Sequence, residues 1–88
     1  MKALRVTYEG RVQGVGFRYT ARHLAKGFEV GGSVCNLPEG GVQIEVAGPE
    51  SREFLQAIRE SALAGHIASE RVEEIDLPES PRGFCIIP

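Results

Sequence analysis

The stretch Val30-Gly31-Gly32-Ser33-Val34-Cys35-Asn36-Leu37-Pro38-Glu39-Gly40-Gly41-Val42-Gln43-Ile44-Glu45-Val46-Ala47-Gly48 decides the fold. In its second half Val42, Ile44 and Val46 alternate with Gln43 and Glu45, the period of a strand with one face buried. Leu37–Gly41 places proline early and glycine late, as turn geometry favours. The first half, from about Val30 to Asn36, reads as the partner strand. Residues 30–48 therefore predict a hairpin in the middle of the chain.

Outward from the hairpin the hydrophobic period changes. Upstream, Leu4, Val6 and Tyr8 alternate with Arg5, Thr7 and Glu9, which predicts a strand. Gly10, Gly14 and Gly16 break that pattern. Ala21, Leu24, Ala25 and Phe28 then fall at i, i+3, i+4 and i+7, one face of a helix, with Gly27 where it should stop. Downstream, Pro49 suits a first helical turn, and Phe54, Ala57, Ile58, Ser61 and Ala62 form a second helical stripe. Past a loop near Gly65, Ile75 and Leu77 suggest a strand with Val72 out of phase. The Pro-rich connection Leu77–Gly83 leads to a last short strand, Phe84–Ile87. The order is βαββαβ plus a short C-terminal strand. That predicts an α+β, two-layer ferredoxin-like sandwich, an antiparallel-dominated sheet with two helices on one face.

Bulk properties narrow the function classes. With 88 residues the chain has room for one domain, taken as 1–88. Its net charge of −2 argues against a nucleic-acid binder, which usually carries a basic face. No ribonucleoprotein-type motif accompanies Tyr8, Tyr19 and the four phenylalanines, as RNA binding across such a sheet would need. No apolar run approaches the ~20 residues of a membrane span, and charge at Arg5 and Glu9 argues against a signal peptide. Cys35 and Cys85 have neither metal-knuckle nor disulfide-scaffold spacing. They read as small strand residues, able to pair only with α-carbons within about 7 Å. His23 and His66 lack ligand-spaced partners. The charged stretches Glu50–Glu60 and Glu70–Glu74 read as solvated faces. A cytoplasmic monomer is expected, with no metal, cofactor, nucleic acid or membrane.

The segment Arg11-Val12-Gln13-Gly14-Val15-Gly16-Phe17-Arg18 joins a strand to a helix. Its glycines let several backbone N–H groups converge, and the helix start adds unpaired donors and the positive end of its dipole. Such a place suits a tetrahedral phosphate or sulfate, and Arg18 at its mouth can add a bidentate pair. Steric need alone also produces glycine-rich β–α turns, so the spacing names no ligand. It is not a Walker A loop, because no Gly-Lys-Ser/Thr follows. It is not a dinucleotide fingerprint either. Asn36, taken alone, reads as a residue closing a strand before Leu37-Pro38.

Gly10–Arg18, together with Gly31-Gly32-Ser33-Val34-Cys35-Asn36 and Gly41-Val42, resembles the acylphosphatase signature over the whole chain. The resemblance implies a small cytoplasmic enzyme that hydrolyses acyl phosphates without a metal. It assigns the phosphate cradle to Gln13, Gly14, Val15, Gly16, Phe17 and Arg18, with Arg18 as the phosphate-binding arginine. Asn36 is implied as the residue that positions the attacking water. Ser33 stands where the family often has tryptophan, and Ser80-Pro81-Arg82-Gly83 leads into Phe84 where a tyrosine is common. Two other readings stay open. One is a carbamoyl-phosphate module like the N-terminal part of hydrogenase-maturation carbamoyltransferases, against which the chain's end at Pro88 without a CxxC pattern is expected to count. The other is a non-catalytic ferredoxin-like binding domain.

Overall fold

The computed structural model describes residues 1–88. Strand β1 (Lys2–Gly10) is followed by helix α1 (Phe17–Ala25), strands β2 (Gly31–Asn36) and β3 (Val42–Ala47), and helix α2 (Ser51–Arg59). A 3₁₀ turn (Ala62–His66) leads to β4 (Ile67–Asp76) and the short β5 (Phe84–Ile87). The five strands lie in the order β4-β1-β3-β2-β5. Every pairing is antiparallel except β2 with β5. The predicted α+β ferredoxin-like architecture is what forms, and no helix is long and apolar enough to cross a membrane.

The alternation read in β1 and β3 is the core. Leu4, Val6 and Tyr8 lie with Val42, Ile44 and Val46 on the helix-covered face. Phe17, Ala21 and Ala25 of α1 and Phe54, Leu55 and Ile58 of α2 pack onto them. Each large apolar side chain so buried contributes roughly 1.5–3 kcal/mol, which matters in a domain this small. The other face is polar: Arg5 donates from Nε to Glu45 Oε2 at 3.0 Å across paired strands.

Element ends depart from the sequence reading in four places. Helix α1 stops at Ala25, and Phe28 packs against the core from beyond the helix. Pro49 lies outside α2, whose cap is Glu50. Ser61 caps the 3₁₀ turn, its hydroxyl accepting from Leu63 N–H at 3.1 Å. The second stripe therefore ends at Arg59, leaves Ala62 exposed, and includes Leu55. Strand β4 already begins at Ile67 and ends at Asp76, with Leu77 beyond it bonded to Met1 O at 2.8 Å.

The parallel pairing of β5 with β2 sets Cys85 opposite Ser33 and Cys35 opposite Ile87. A two-residue offset between neighbouring strands separates the cysteine α-carbons by about 8 Å. That exceeds the reach of a disulfide, and both thiols are free.

Tyr8 is fully buried and its hydroxyl has no hydrogen-bond partner. Burial raises its phenol above the ordinary range, with Glu70 adding to the shift and Arg59 opposing it. Above about pH 10 the unfolded chain loses this proton while the folded chain keeps it, so stability falls as pH rises. Tyr8→Phe is expected to remove that alkaline loss. It should also add about 1 kcal/mol at neutral pH by deleting an unpaired buried hydroxyl, or about 4–8 °C in melting midpoint. Melts of both proteins at neutral pH and at about pH 11 check this; a lower midpoint for the variant would mean that the hydroxyl is satisfied.

Candidate active site

Residues 11–16 carry the chain from β1 to α1 and are held at both ends by apolar anchors. Val12 is buried, and the Phe17 ring packs against Tyr8 with centroids 4.9 Å apart at 54°. Between them Gly14 and Gly16 have φ of 79° and 80°. Any side chain would be strained there. Gly16 is also the cap residue of α1, and no side chain bonds to the helix's first turn.

This backbone leaves its donors unspent. From Val12 to Tyr19 no backbone N–H donates within the protein, and the first helical bond is Thr20 N–H to Gly16 O at 3.0 Å. Most of these residues are exposed, and the first N–H groups of a helix have no partner within it. A run of free ones at the positive end of a helix is a seat for an anion.

The Asn36 side chain comes to this seat from a different element. It is the last residue of β2, opposite Val42, and its amide is not bonded within the protein. A cavity of about 210 Å³ is lined by Val12, Gly14, Gly16, Phe17, Arg18, Tyr19 and Asn36. That is smaller than the roughly 300–1,000 Å³ clefts that enclose drug-sized ligands, and suits a small anionic group. Its lining contains no carboxylate, whereas the larger hollows beside Lys2 and beside Thr7 include Glu53 and Glu74, and Glu9 and Glu39, respectively. Arg18 is half-buried and stays out of the two ion pairs, Arg5–Glu45 and Arg59–Glu70. Its charge reaches the neighbouring strand: burial pushes the Cys35 thiol up, Glu45 adds to this, and Arg18 opposes it.

The residues expected to form the site divide accordingly. Gly14, Gly16, Phe17, Arg18 and Asn36 line one cavity, while Gln13 and Val15 do not. Val15 is exposed, and the Gln13 side chain turns to the β2–β3 connection, donating to Leu37 O and Gly41 O, each at 2.8 Å. Sequence reasoning did not pick out Val12 or Tyr19 as lining residues. An apolar Val12 within a glycine loop was the available signal for the first. Tyr19 is 64% exposed, with Arg22 5.4 Å above its ring. No cluster of three His, Cys, Asp or Glu side chains is arranged to hold a metal ion.

The acylphosphatase family model matches residues 4–86. The chain belongs to the acylphosphatase family. It is thereby a hydrolase of that family, and similar proteins span nearly its whole length. The acylphosphatase of Thermotoga maritima is 42% identical over 88 residues, covering 98% of this chain and 97% of its own. That of Geobacillus kaustophilus is 38% identical over 89 residues, covering 99% of this chain and 95% of its own. Among solved structures, acylphosphatase from Bacillus subtilis superposes with a TM-score of 0.87 at 32% identity, over 100% of both chains. Full-length HypF in its phosphate- and nucleotide-bound form gives 0.82 at 29% identity, over 99% of this chain but 12% of that one.

Proposed function

We propose that residues 1–88 act as one catalytic domain that hydrolyses acyl phosphates to a carboxylate and inorganic phosphate. The observation that carries this reading is that Val12, Gly14, Gly16, Phe17, Arg18 and Tyr19, whose N–H groups are unspent within the protein, line one cavity together with Asn36. The phosphoryl oxygens accept from the backbone of residues 13–18 and from the Arg18 guanidinium. Asn36 can both donate to and accept from a water, and so orients it in line with the scissile bond. The phosphate bound by the HypF structure supports a phosphate seat here.

These groups suffice because the substrate is activated. Its leaving carboxylate has a conjugate acid with a pKa near ~4, so it departs without a general acid. A loose phosphoryl-transfer transition state asks mainly for positioning and charge stabilisation. No Asp, Glu or His lines the cavity, so a phosphate oxygen of the substrate is the base that takes the water's proton.

Release of phosphate from a simple acyl phosphate, followed with a chelator present, tests the proposal. Sustained release with no steep loss between about pH 5 and 8, where His-type groups titrate, is the expected result. No release sinks the enzymatic reading. Release abolished by the chelator sinks the metal-free mechanism, and a steep neutral titration sinks the substrate-assisted step.

A further inference from the structure

The two halves of the site belong to separate pieces of chain. The cradle lies in the β1–α1 loop, and Asn36 closes β2 just before the turn Leu37–Gly41. No backbone hydrogen bond joins residues 11–16 to residues 36–41. The Gln13 side chain makes the connection instead. Its Nε2 donates to Leu37 O and to Gly41 O, each at 2.8 Å, spanning 24 and 28 residues of sequence. Both partners are carbonyl oxygens, which can only accept, so the chemistry fixes the amide with its NH₂ group inward.

The same two carbonyls close the turn itself. Leu37 N–H donates to Gly41 O at 2.8 Å, and Gly40 N–H donates to Leu37 O at 3.1 Å. Gln13 thus takes a further acceptor site on each carbonyl, and Leu37 is bonded directly to Asn36 through the chain.

We infer that Gln13 is a positioning residue for the reaction: its side-chain amide sets the distance between the phosphate cradle and the Asn36 amide. This rests on the reading of the site under Proposed function. In that reading the backbone around Gln13 holds the phosphoryl group, while its side chain holds the turn that aims the water. The two tasks are separable by substitution. A displacement of about 1 Å in a reacting geometry costs up to about 100-fold, whereas phosphate held by loop N–H groups and Arg18 does not depend on the turn.

Gln13→Met keeps the length of the side chain and removes both donors. Turnover of an acyl phosphate is expected to fall about 10–100-fold, while inhibition by inorganic phosphate stays close to that of the unsubstituted chain. In an Asn36→Ala background the same substitution should cause little further loss, because the turn then aims nothing. Gln13→Glu gives a second reading: its carboxylate faces two carbonyls near neutral pH, and protonation restores one donor. Its activity relative to the parent should therefore recover as pH falls through the carboxylic range near ~4.

Four results overturn the inference. They are unchanged turnover in Gln13→Met, equal weakening of turnover and phosphate inhibition, full additivity with Asn36→Ala, and no recovery of Gln13→Glu at low pH. The parent, run in the same assay, separates the two proposals. An inactive parent defeats the hydrolase reading, and an active parent with an equally active Gln13→Met defeats this one. Phosphate titration followed by NMR reports that each variant is folded and has a formed cradle.

Discussion

Replacing Arg18 by alanine should lower kcat/KM for an acyl phosphate by about 10³-fold or more while leaving the melting midpoint nearly unchanged. The magnitude follows from the role: arginines that stabilise charge on a transferring phosphoryl group are worth about 10³–10⁵ in rate. It is not offset by water, because the guanidinium is half-buried beside a cavity whose lining contains no carboxylate. The fold should not suffer, since Arg18 enters neither ion pair and lies outside the core. Arg18→Lys should recover only part of the loss, because a point charge cannot pair in a bidentate way. Steady-state rates with a thermal melt on the same sample check this. Most of the activity surviving in Arg18→Ala would remove Arg18 from the mechanism.

Asn36→Ala should behave differently in its kinetics. Removing one fixed polar group at the reacting centre costs about 10²–10³ in kcat. Phosphate inhibition should barely change, since the cradle N–H groups and Arg18 remain. The two variants therefore separate the site: Arg18→Ala weakens phosphate inhibition as well as rate, Asn36→Ala the rate alone. Asn36 is exposed at the end of β2 and its amide is unbonded, so stability should be preserved. If Asn36→Ala lost phosphate inhibition in parallel with rate, Asn36 would be a binding group and not an aligner of water.

Legibility in the sequence followed burial. β1 and β3 were readable because each has one face in the core and one outside, so their side chains alternate in kind. β4 was read only in part, because it is an edge strand with most residues exposed, Val72 among them at 38%. Helix ends were blurred where apolar residues outside a helix still reach the core: Phe28 continues the stripe of α1 from a turn. The parallel placement of β5 beside β2 depends on contacts about fifty residues apart in sequence, which no local pattern carries.

In the candidate site, Asn36 read alone only closes a strand and was singled out by the family resemblance, whereas Gly14, Gly16 and Arg18 could be read because turn chemistry and anion binding both restrict residue type. The side chain of Gln13 could not, since nothing in its neighbours tells where an amide lands 24 and 28 residues onward. Tyr19 was hidden for another reason: an exposed aromatic on a helix has no periodic signature of its own.

The uncapped start of α1 also ties the protein's durability to its chemistry. Most helices recover about 0.5–2 kcal/mol from a Ser, Thr, Asp or Asn at this position. Here Gly16 provides no such bond, and its φ of 80° excludes most replacements. A residue that satisfied those donors from within would steady the helix and occupy the place proposed for the phosphoryl group. The molecule thus keeps a local weakness at one helix end, of the kind that sets stability against activity, and on the proposed function the substrate's phosphoryl group would complete the fold there.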